Sequence, residues 1–151
     1  MRLEGKVAIV TGGGSGFGEG IATKFVAEGA KVLIADRDAA GGARVAAALG
    51  ANARALQVDV SKAADVAAMI DATQQHFGRL DILVNNAGVS HLPQPMEEVS
   101  EDDFDRILAI NVKAIYLAAK IVVPRFKAQK SGVILNIAST AGVSPRPRLS
   151  W

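Results

Sequence analysis

The sequence has 151 residues, half of them hydrophobic, with a formal net charge of +2 and no cysteine. That length and apolar content suffice for one domain with a filled core. The lack of cysteine excludes disulfides and thiolate metal sites. The small net charge gives no argument for nucleic-acid binding. His76 and His91 lack the spacing of metal ligands, so we expect no metal site.

No continuous apolar run approaches the length of a membrane span. The first six residues also lack the hydrophobic region of a signal peptide. We therefore expect a cytoplasmic protein that binds neither a membrane nor nucleic acid.

The first predicted element is a strand over Val7 to Val10, followed by the glycine-rich segment Thr11 to Gly18 and helix-compatible residues from Glu19 to Glu28. A phosphate can approach backbone N–H groups at a helix N-terminus only where side chains are absent. This turn therefore supplies candidate cofactor contacts: Gly12, Ser15, Gly16, Phe17 and Gly18. No lysine follows as in a triphosphate-binding P-loop, so we predict a dinucleotide. The alternative is a flexible glycine-rich turn.

The second predicted strand, Lys31 to Ala35, ends on Asp36, which follows Gly18 by 18 positions. A carboxylate at that spacing can accept hydrogen bonds from both hydroxyls of an adenosine ribose and repels a 2′-phosphate, which favours NAD over NADP. Ser15 stands where a basic residue would favour NADP. Arg37 is the counter-evidence, because a guanidinium can hold a phosphate. Alternatively, Asp36 caps a helix that begins near Asp38.

Three further apolar runs are predicted strands: Ala53 to Val58, Leu80 to Val84 and Val133 to Ile137. Helical patterns separate them, giving five strands and four helices. Short apolar strands between helices indicate a parallel sheet covered on both faces. We predict a doubly wound, three-layer α/β domain of the Rossmann type over residues 1–151, with strand order 3-2-1-4-5 and a ligand crevice between strands 1 and 4.

Two helices have a clear apolar face. The first consists of Val66, Met69, Ile70, Thr73 and Phe77, and the second of Phe104, Ile107, Leu108, Asn111 and Ile115. Ser100 with Asp103 predicts the start of the second helix, and Pro124 is expected to kink or end it.

Several motifs occur in a characteristic order: Thr11-Gly12-x-x-x-Gly16-x-Gly18, Asp59-Val60, Asn85-Asn86-Ala87-Gly88, Asn111 and Ser139. With these motifs the chain resembles the short-chain dehydrogenase/reductase family along its whole length, nearest to NAD(P)-dependent members such as the 3-oxoacyl-carrier-protein reductases. The resemblance implies an oxidoreductase that moves a hydride between a nicotinamide cofactor, NAD in preference to NADP, and a small-molecule carbonyl or alcohol substrate.

The resemblance also implies residue roles. Asp59 corresponds to the acceptor for the adenine amino group, with Val60 beside the ring; the alternative for Asp59 is a helix cap. The segment Asn85 to Gly88 ends the fourth strand, where the cofactor would lie against Asn86, Ala87 and Gly88 and an amide can tie adjacent strands; the alternative is a plain Asn/Gly turn.

The resemblance implies catalytic roles for two residues. Asn111 would hold a water of a proton relay, whereas the alternative is a buried amide bonded to nearby backbone. Ser139 would orient the substrate oxygen and stabilise its developing charge, whereas an isolated serine of this kind is more often a turn residue.

The family also requires a Tyr about a dozen residues beyond the serine and a Lys four positions later. Tyr116 and Lys120 have that internal spacing, but they precede Ser139, and we reject them; the sequence has one tyrosine. Relative to the family, we therefore expect a truncated chain without the last strands, inactive by itself and with an apolar sheet edge at its fifth strand. The alternative is a catalytically silent dinucleotide-binding module or an enzyme fragment.

The resemblance finally implies a homo-dimer or homo-tetramer, because the long helix beginning near Glu101 packs against its copy in the family. Tyr116 and its neighbours would serve there. The substrate itself is not predicted.

Overall fold

The structure is a computed structural model that describes residues 1–144 and 147–149. Its sheet consists of five parallel strands in the order β3-β2-β1-β4-β5. The strands are β1 Val7–Thr11, β2 Lys31–Asp36, β3 Ala53–Gln57, β4 Ile82–Asn85 and β5 Val133–Asn136. All five predicted strands and their order are confirmed, with ends displaced by at most two residues.

Helices cover both faces of the sheet. They are α1 Gly16–Ala27, α2 Ala39–Leu49, α3 Ala63–Phe77, α4 Glu101–Leu108 and α5 Ala114–Ala128, and a π-helical turn over Ala109–Lys113 joins the last two. On one face Ala8, Val10 and Ile34 belong to a core packed against α1 and α2. On the other face Ile9 and Leu33 belong to a core packed against α3 and α5. The predicted three-layer architecture is therefore confirmed.

The apolar face predicted for α3 is confirmed, but the one predicted across α4 and α5 is partly wrong. Ile107 is buried, whereas Leu108 is 42% exposed and lies near Val112 and Tyr116, each 59% exposed. Because a π-helical turn departs from the period of 3.6 residues, a face drawn with one period does not continue through it. The predicted start is confirmed, since Ser100 Oγ accepts a hydrogen bond from Asp103 N at 3.1 Å.

The continuous helix Glu101–Ala128 is long and apolar enough to cross a membrane, with a mean hydropathy of 1.7 in its most apolar stretch, of which 22% is buried. The sequence still contains no continuous apolar run of that length, because Asn111, Lys113 and Lys120 interrupt this helix. Pro124 lies inside α5 and does not end it. Length and composition alone are weak evidence, since a helix that packs on a sheet can have both.

β5 lies at one edge of the sheet, where Val133, Leu135 and Ile137 are exposed. The predicted apolar edge is confirmed. Such an edge can pair with another strand or pack against further structure.

Candidate functional site

The candidate site lies at the carboxyl ends of β1 and β4, where the winding of the sheet reverses. A groove of about 390 Å³ opens there, which we call the dinucleotide groove. Its lining includes all twelve residues predicted from the sequence as cofactor contacts: Gly12, Ser15, Gly16, Phe17, Gly18, Asp36, Arg37, Asp59, Val60, Asn86, Ala87 and Gly88. The fold therefore brings them together, and their contact with a cofactor stays a prediction.

Glycine is required in the turn between β1 and α1 for two reasons. Gly12 has φ +63°, and a Cβ there would lie 3.0 Å from Ala87 Cα. A Cβ on Gly18 would overlap the carbonyl oxygen of Gly12. The turn thus lies close against the segment after β4 and leaves bare backbone facing the groove.

Asp36 ties the glycine-rich turn to the end of β2. Its Oδ2 accepts a hydrogen bond from Gly14 N at 2.8 Å and its Oδ1 accepts one from Asp38 N at 2.9 Å. The alternative role as a helix cap is wrong, because α2 is capped by Asp38, whose Oδ1 accepts from Ala40 N. Two backbone donors therefore orient a carboxylate that lines the groove and retains further acceptor capacity.

Asp59 stands at the end of the groove beside β3. Its Oδ1 accepts hydrogen bonds from Ser61 Oγ at 2.6 Å and Ser61 N at 3.0 Å, and Lys62 Nζ lies 3.7 Å from its Oδ2. The Ser61 hydroxyl is the main cause of a lowered pKa of the Asp59 carboxyl. This local turn accounts for Oδ1, whereas Oδ2 can still accept from a ligand. At neutral pH the group is ionised.

A second cavity of about 520 Å³ adjoins the groove, and we call it the inner cavity. Val60, Ala87, Gly88, Val89 and Ile110 line both spaces. The inner cavity also contains the two predicted catalytic residues, Asn111 and Ser139. A ligand lying along the groove would therefore reach the cavity without crossing a wall of buried side chains.

Asn111 lies in the π-helical turn and is bonded to the loop after β4. Its Oδ1 accepts from Val89 N at 2.9 Å, and its Nδ2 donates to Val89 O at 2.8 Å. The alternative expected from the sequence, an amide bonded to nearby backbone, is therefore present. One lone pair and one N–H remain on the amide, and a role in a proton relay stays a prediction.

Ser139 follows β5 and begins a short 3₁₀ turn over Thr140–Gly142. Its Oγ accepts a hydrogen bond from Ala141 N at 3.1 Å. This bond is typical of a turn serine, but it uses the oxygen alone, so the hydroxyl proton can still be donated into the cavity. Both sequence interpretations of Ser139 are compatible with this arrangement.

Sequence reasoning missed two residues that build the crevice. The Thr11 hydroxyl accepts hydrogen bonds from Asn86 N and Ala87 N, each at 3.0 Å. Asn136, on β5, accepts from Asn85 Nδ2 at 2.8 Å, so the expected amide tie between strands is confirmed. Thr11 is the first residue of the glycine motif, and its position directly before Gly12 is the signal that could have identified this role.

Tyr116 and Lys120, rejected from the sequence as a catalytic pair, line neither the groove nor the inner cavity. Tyr116 is exposed on the outer side of α5. Within residues 1–144 and 147–149, no group of three or more His, Cys, Asp or Glu side chains is arranged to hold a metal ion.

The family model described as short chain dehydrogenase matches residues 6–151. The 4-formylbenzenesulfonate dehydrogenase of Comamonas testosteroni is 47% identical over 154 residues, covering 100% of this chain and 61% of the relative. The D-threitol dehydrogenase of Mycolicibacterium smegmatis is 44% identical over 144 residues, covering 93% of this chain and 55% of the relative.

A solved structure is similar throughout. The 3-ketoacyl-(acyl-carrier-protein) reductase of Brucella melitensis, in complex with NADH, has a TM-score of 0.96 and 52% sequence identity, covering 99% of this chain and 63% of its own. The chain spans about three fifths of the length of the proteins it matches.

Proposed function

The chain belongs to the short-chain dehydrogenase family, and from this premise we propose that residues 1–151 form one dinucleotide-binding domain of an NAD-dependent oxidoreductase. The observation that carries the proposal is the common groove of the twelve residues, which leads into the cavity with Asn111 and Ser139. In this proposal the complete enzyme interconverts a small-molecule carbonyl compound and its alcohol.

The groove fits a dinucleotide because its floor is backbone. Side chains are sterically excluded at Gly12 and Gly18, and α1 begins at Gly16, so its unpaired N–H groups lie beside the turn. A pyrophosphate is suited to that position. A nicotinamide cofactor, when bound, supplies or accepts the hydride, and the chain binds and orients it. The NADH complex of the Brucella reductase supports this class of ligand.

A preference for NAD over NADP follows from Asp36. Its carboxylate is oriented by Gly14 N and Asp38 N and lines the groove. It would accept hydrogen bonds from the ribose hydroxyls and repel a 2′-phosphate. Ser15 adds no positive charge, and Arg37, also in the lining, works against the preference. Asp59 would accept the adenine amino group through Oδ2.

At the other end, Ser139 would donate its hydroxyl proton to the substrate oxygen and stabilise charge that develops there. Asn111 holds Val89 at the border between groove and cavity, and its remaining polar valences would hold a water of the relay. In these roles the two residues would hold the substrate oxygen in the inner cavity, next to the groove that would bind the cofactor.

A catalytically silent dinucleotide-binding module, or a fragment of the enzyme, is the alternative. The position of Tyr116 favours it, because the one tyrosine of this sequence lies outside the inner cavity. Turnover by the 151-residue chain bears on this alternative: oxidation of NADH by an aldehyde or ketone would exclude the silent module, whereas cofactor binding without turnover is the result that the alternative predicts.

Calorimetric titration with NAD and NADP tests the proposal. We expect saturable NAD binding by the 151-residue chain, tighter than NADP binding. Asp36→Ala should weaken NAD binding by roughly ten- to one-hundred-fold, as loss of charged hydrogen bonds does. It should also reduce the difference between the Kd values for NAD and NADP. Asp71→Ala is the control, because Asp71 is exposed and pairs with Arg125 outside the groove. A folded chain that does not bind NAD, or that prefers NADP, would contradict the proposal.

A homo-dimer or homo-tetramer is also proposed. Leu108, Val112 and Tyr116 expose apolar surface along α4, the π-helical turn and α5, and burial against a second copy would remove that surface from water. We expect light scattering to give a multiple of the monomer mass and Tyr116→Asp to reduce it. A monomeric wild-type protein would refute this point.

We also propose that the protein is cytoplasmic. The long apolar helix that could cross a membrane by length packs on the core through Ala114, Ala118 and Val122 of α5.

A further inference from the structure

We propose that Arg44 is a positioning residue for the dinucleotide, since its guanidinium holds the Gly14 peptide that in turn orients the Asp36 carboxylate. Arg44 lines neither the groove nor the inner cavity, so it acts through other residues and touches no ligand itself. The inference rests on the proposed dinucleotide binding and deepens it, because it adds a determinant of affinity outside the groove.

The guanidinium of Arg44 joins α2 to α1 and to the glycine-rich turn. Nη1 donates to Glu19 Oε1 at 2.9 Å, and Nη2 donates to Glu19 Oε2 at 2.7 Å. Nη2 also donates to the carbonyl oxygen of Gly14 at 3.1 Å. The planar guanidinium donates to both Glu19 oxygens from two nitrogens and also to the Gly14 carbonyl, a geometry that the single nitrogen of an ammonium group does not reproduce.

Gly14 is consequently held from both sides. Its carbonyl accepts from Arg44, and its N–H donates to Asp36 Oδ2 at 2.8 Å. The same carboxylate accepts from Asp38 N through Oδ1 at 2.9 Å. A shift of the turn at Gly14 would therefore remove one of the two backbone donors that orient Asp36 toward the groove.

The turn rests directly on the first turn of α2. A Cβ on Gly14 would lie 2.9 Å from both Asp36 Oδ2 and Gly42 N, and a Cβ on Gly41 would lie 3.1 Å from Gly14 O. Gly14 and Gly41 thus allow the two backbones to approach, and Arg44 lies on the same helix as Gly41. The position of the turn therefore depends on the position of α2.

Charge supports the arrangement. The hydrogen bond from Arg44 lowers the pKa of the Glu19 carboxyl, and Glu19 raises the pKa of Arg44. Both groups are charged at neutral pH, and the pairing leaves less positive charge to attract a 2′-phosphate. An exposed ion pair by itself stabilises little. The bond to Gly14 is what distinguishes this pair from an ordinary surface contact.

A matched control exists in Arg125, which forms a similarly exposed ion pair with Asp71 at 2.7 Å. NAD affinity is measured by calorimetry for the wild type, Arg44→Met and Arg125→Met, with circular dichroism as a test of folding. We expect Arg44→Met to raise the Kd for NAD by about ten-fold, as loss of a charged hydrogen bond does, and Arg125→Met to leave it unchanged.

A double-mutant cycle separates positioning from general stability. If Arg44 acts through Asp36, Arg44→Met should change the Kd by less than about two-fold in an Asp36→Ala background. An equal loss in both backgrounds, or a wild-type Kd for Arg44→Met, would overturn the inference.

Arg44→Lys covers the case in which Arg44→Met does not fold. Lysine keeps the charge but replaces the two donor nitrogens of the fork by one, so the bond to Gly14 O competes with the pairing to Glu19 and the Kd should still rise by about three-fold or more. An unchanged Kd would overturn the inference. If the folded wild type does not bind NAD, both the proposed function and this inference fail. If the wild type binds NAD and the Arg44 variants bind it equally well, only the inference fails.

Discussion

Thr11 and Asn86 hold each other at the mouth of the crevice, although 75 positions separate them. Asn86 Nδ2 donates to Thr11 O at 2.9 Å, while the Thr11 hydroxyl accepts from Asn86 N and Ala87 N. The end of β1 and the segment after β4 are thereby joined beside the dinucleotide groove. The Thr11 hydroxyl and the Asn86 amide therefore both determine the shape of the groove at this point.

Thr11→Val should therefore be costly, because it leaves two N–H groups of a crowded segment without their acceptor. We expect a loss of about 1–3 kcal/mol in unfolding free energy and weaker NAD binding. Thr73→Val is the matched control: both threonines are buried, but the Thr73 hydroxyl only donates to the helical carbonyl of Met69. Urea denaturation measures both, and equal losses would argue against the role assigned to Thr11.

Gly18→Ala tests the close contact in the glycine-rich turn. The added Cβ would overlap Gly12 O and lie 2.7 Å from Asn86 Nδ2, so the turn must move. We expect NAD binding to be lost or to fall at least about ten-fold.

Gly20→Ala, in the same helix, would place its Cβ more than 4 Å from any heavy atom that the structure describes beyond its chain neighbours and the backbone of its own helix. It should stabilise the chain by about 0.5–1 kcal/mol, because alanine is the better helix former. Unchanged NAD affinity of a folded Gly18→Ala variant would contradict the steric argument.

Asp81→Ala tests a buried carboxylate at the opposite end of the sheet. Asp81 Oδ2 accepts from Val7 N at 2.9 Å and Oδ1 from Arg79 Nη2 at 2.6 Å. The substitution leaves Val7 N without this acceptor and Arg79 without its partner, so we expect a loss of about 2–3 kcal/mol.

Asp71→Ala removes an exposed pair and should cost less than about 1 kcal/mol. Chemical denaturation compares the two variants. A loss at Asp81 as small as that at Asp71 would show that the carboxylate contributes only as a surface charge.

Stability should fall in acid in part because of Glu28. Its carboxylate accepts from Arg2 N at 3.0 Å and pairs with Lys24 at 2.9 Å, which lowers its pKa from the ordinary 4.5 to about 2. A carboxyl whose pKa is lowered by folding stabilises the folded state above its unfolded pKa. The contribution is lost as the pH falls from 4.5 to about 2.

The destabilisation caused by Glu28→Gln should therefore be largest at neutral pH and shrink through that interval. Urea denaturation of both proteins at a series of pH values measures it. A difference that does not change with pH would disprove the assignment.

The sequence alone was enough for the elements and for most of the groove, for reasons that are local. The apolar runs fall where β1 to β5 lie, and the glycine turn after Val10 requires residues without side chains. Asp36 was identified because it ends a predicted strand and follows Gly18 by 18 positions in the sequence. Each of these signals depends on neighbouring residues, which sequence displays directly.

Only the tertiary structure decided the contacts between residues distant along the chain. Glu19 with Arg44, Val7 with Asp81 and Thr11 with Asn86 leave no periodic trace in the sequence. The π-helical turn at Asn111 and the exposure of Leu108 likewise escaped a reading based on one helical period. Such pairs form because the crossover connections bring segments that are distant in sequence close together in space. The pattern of residues along the chain does not specify which distant segments will be in contact.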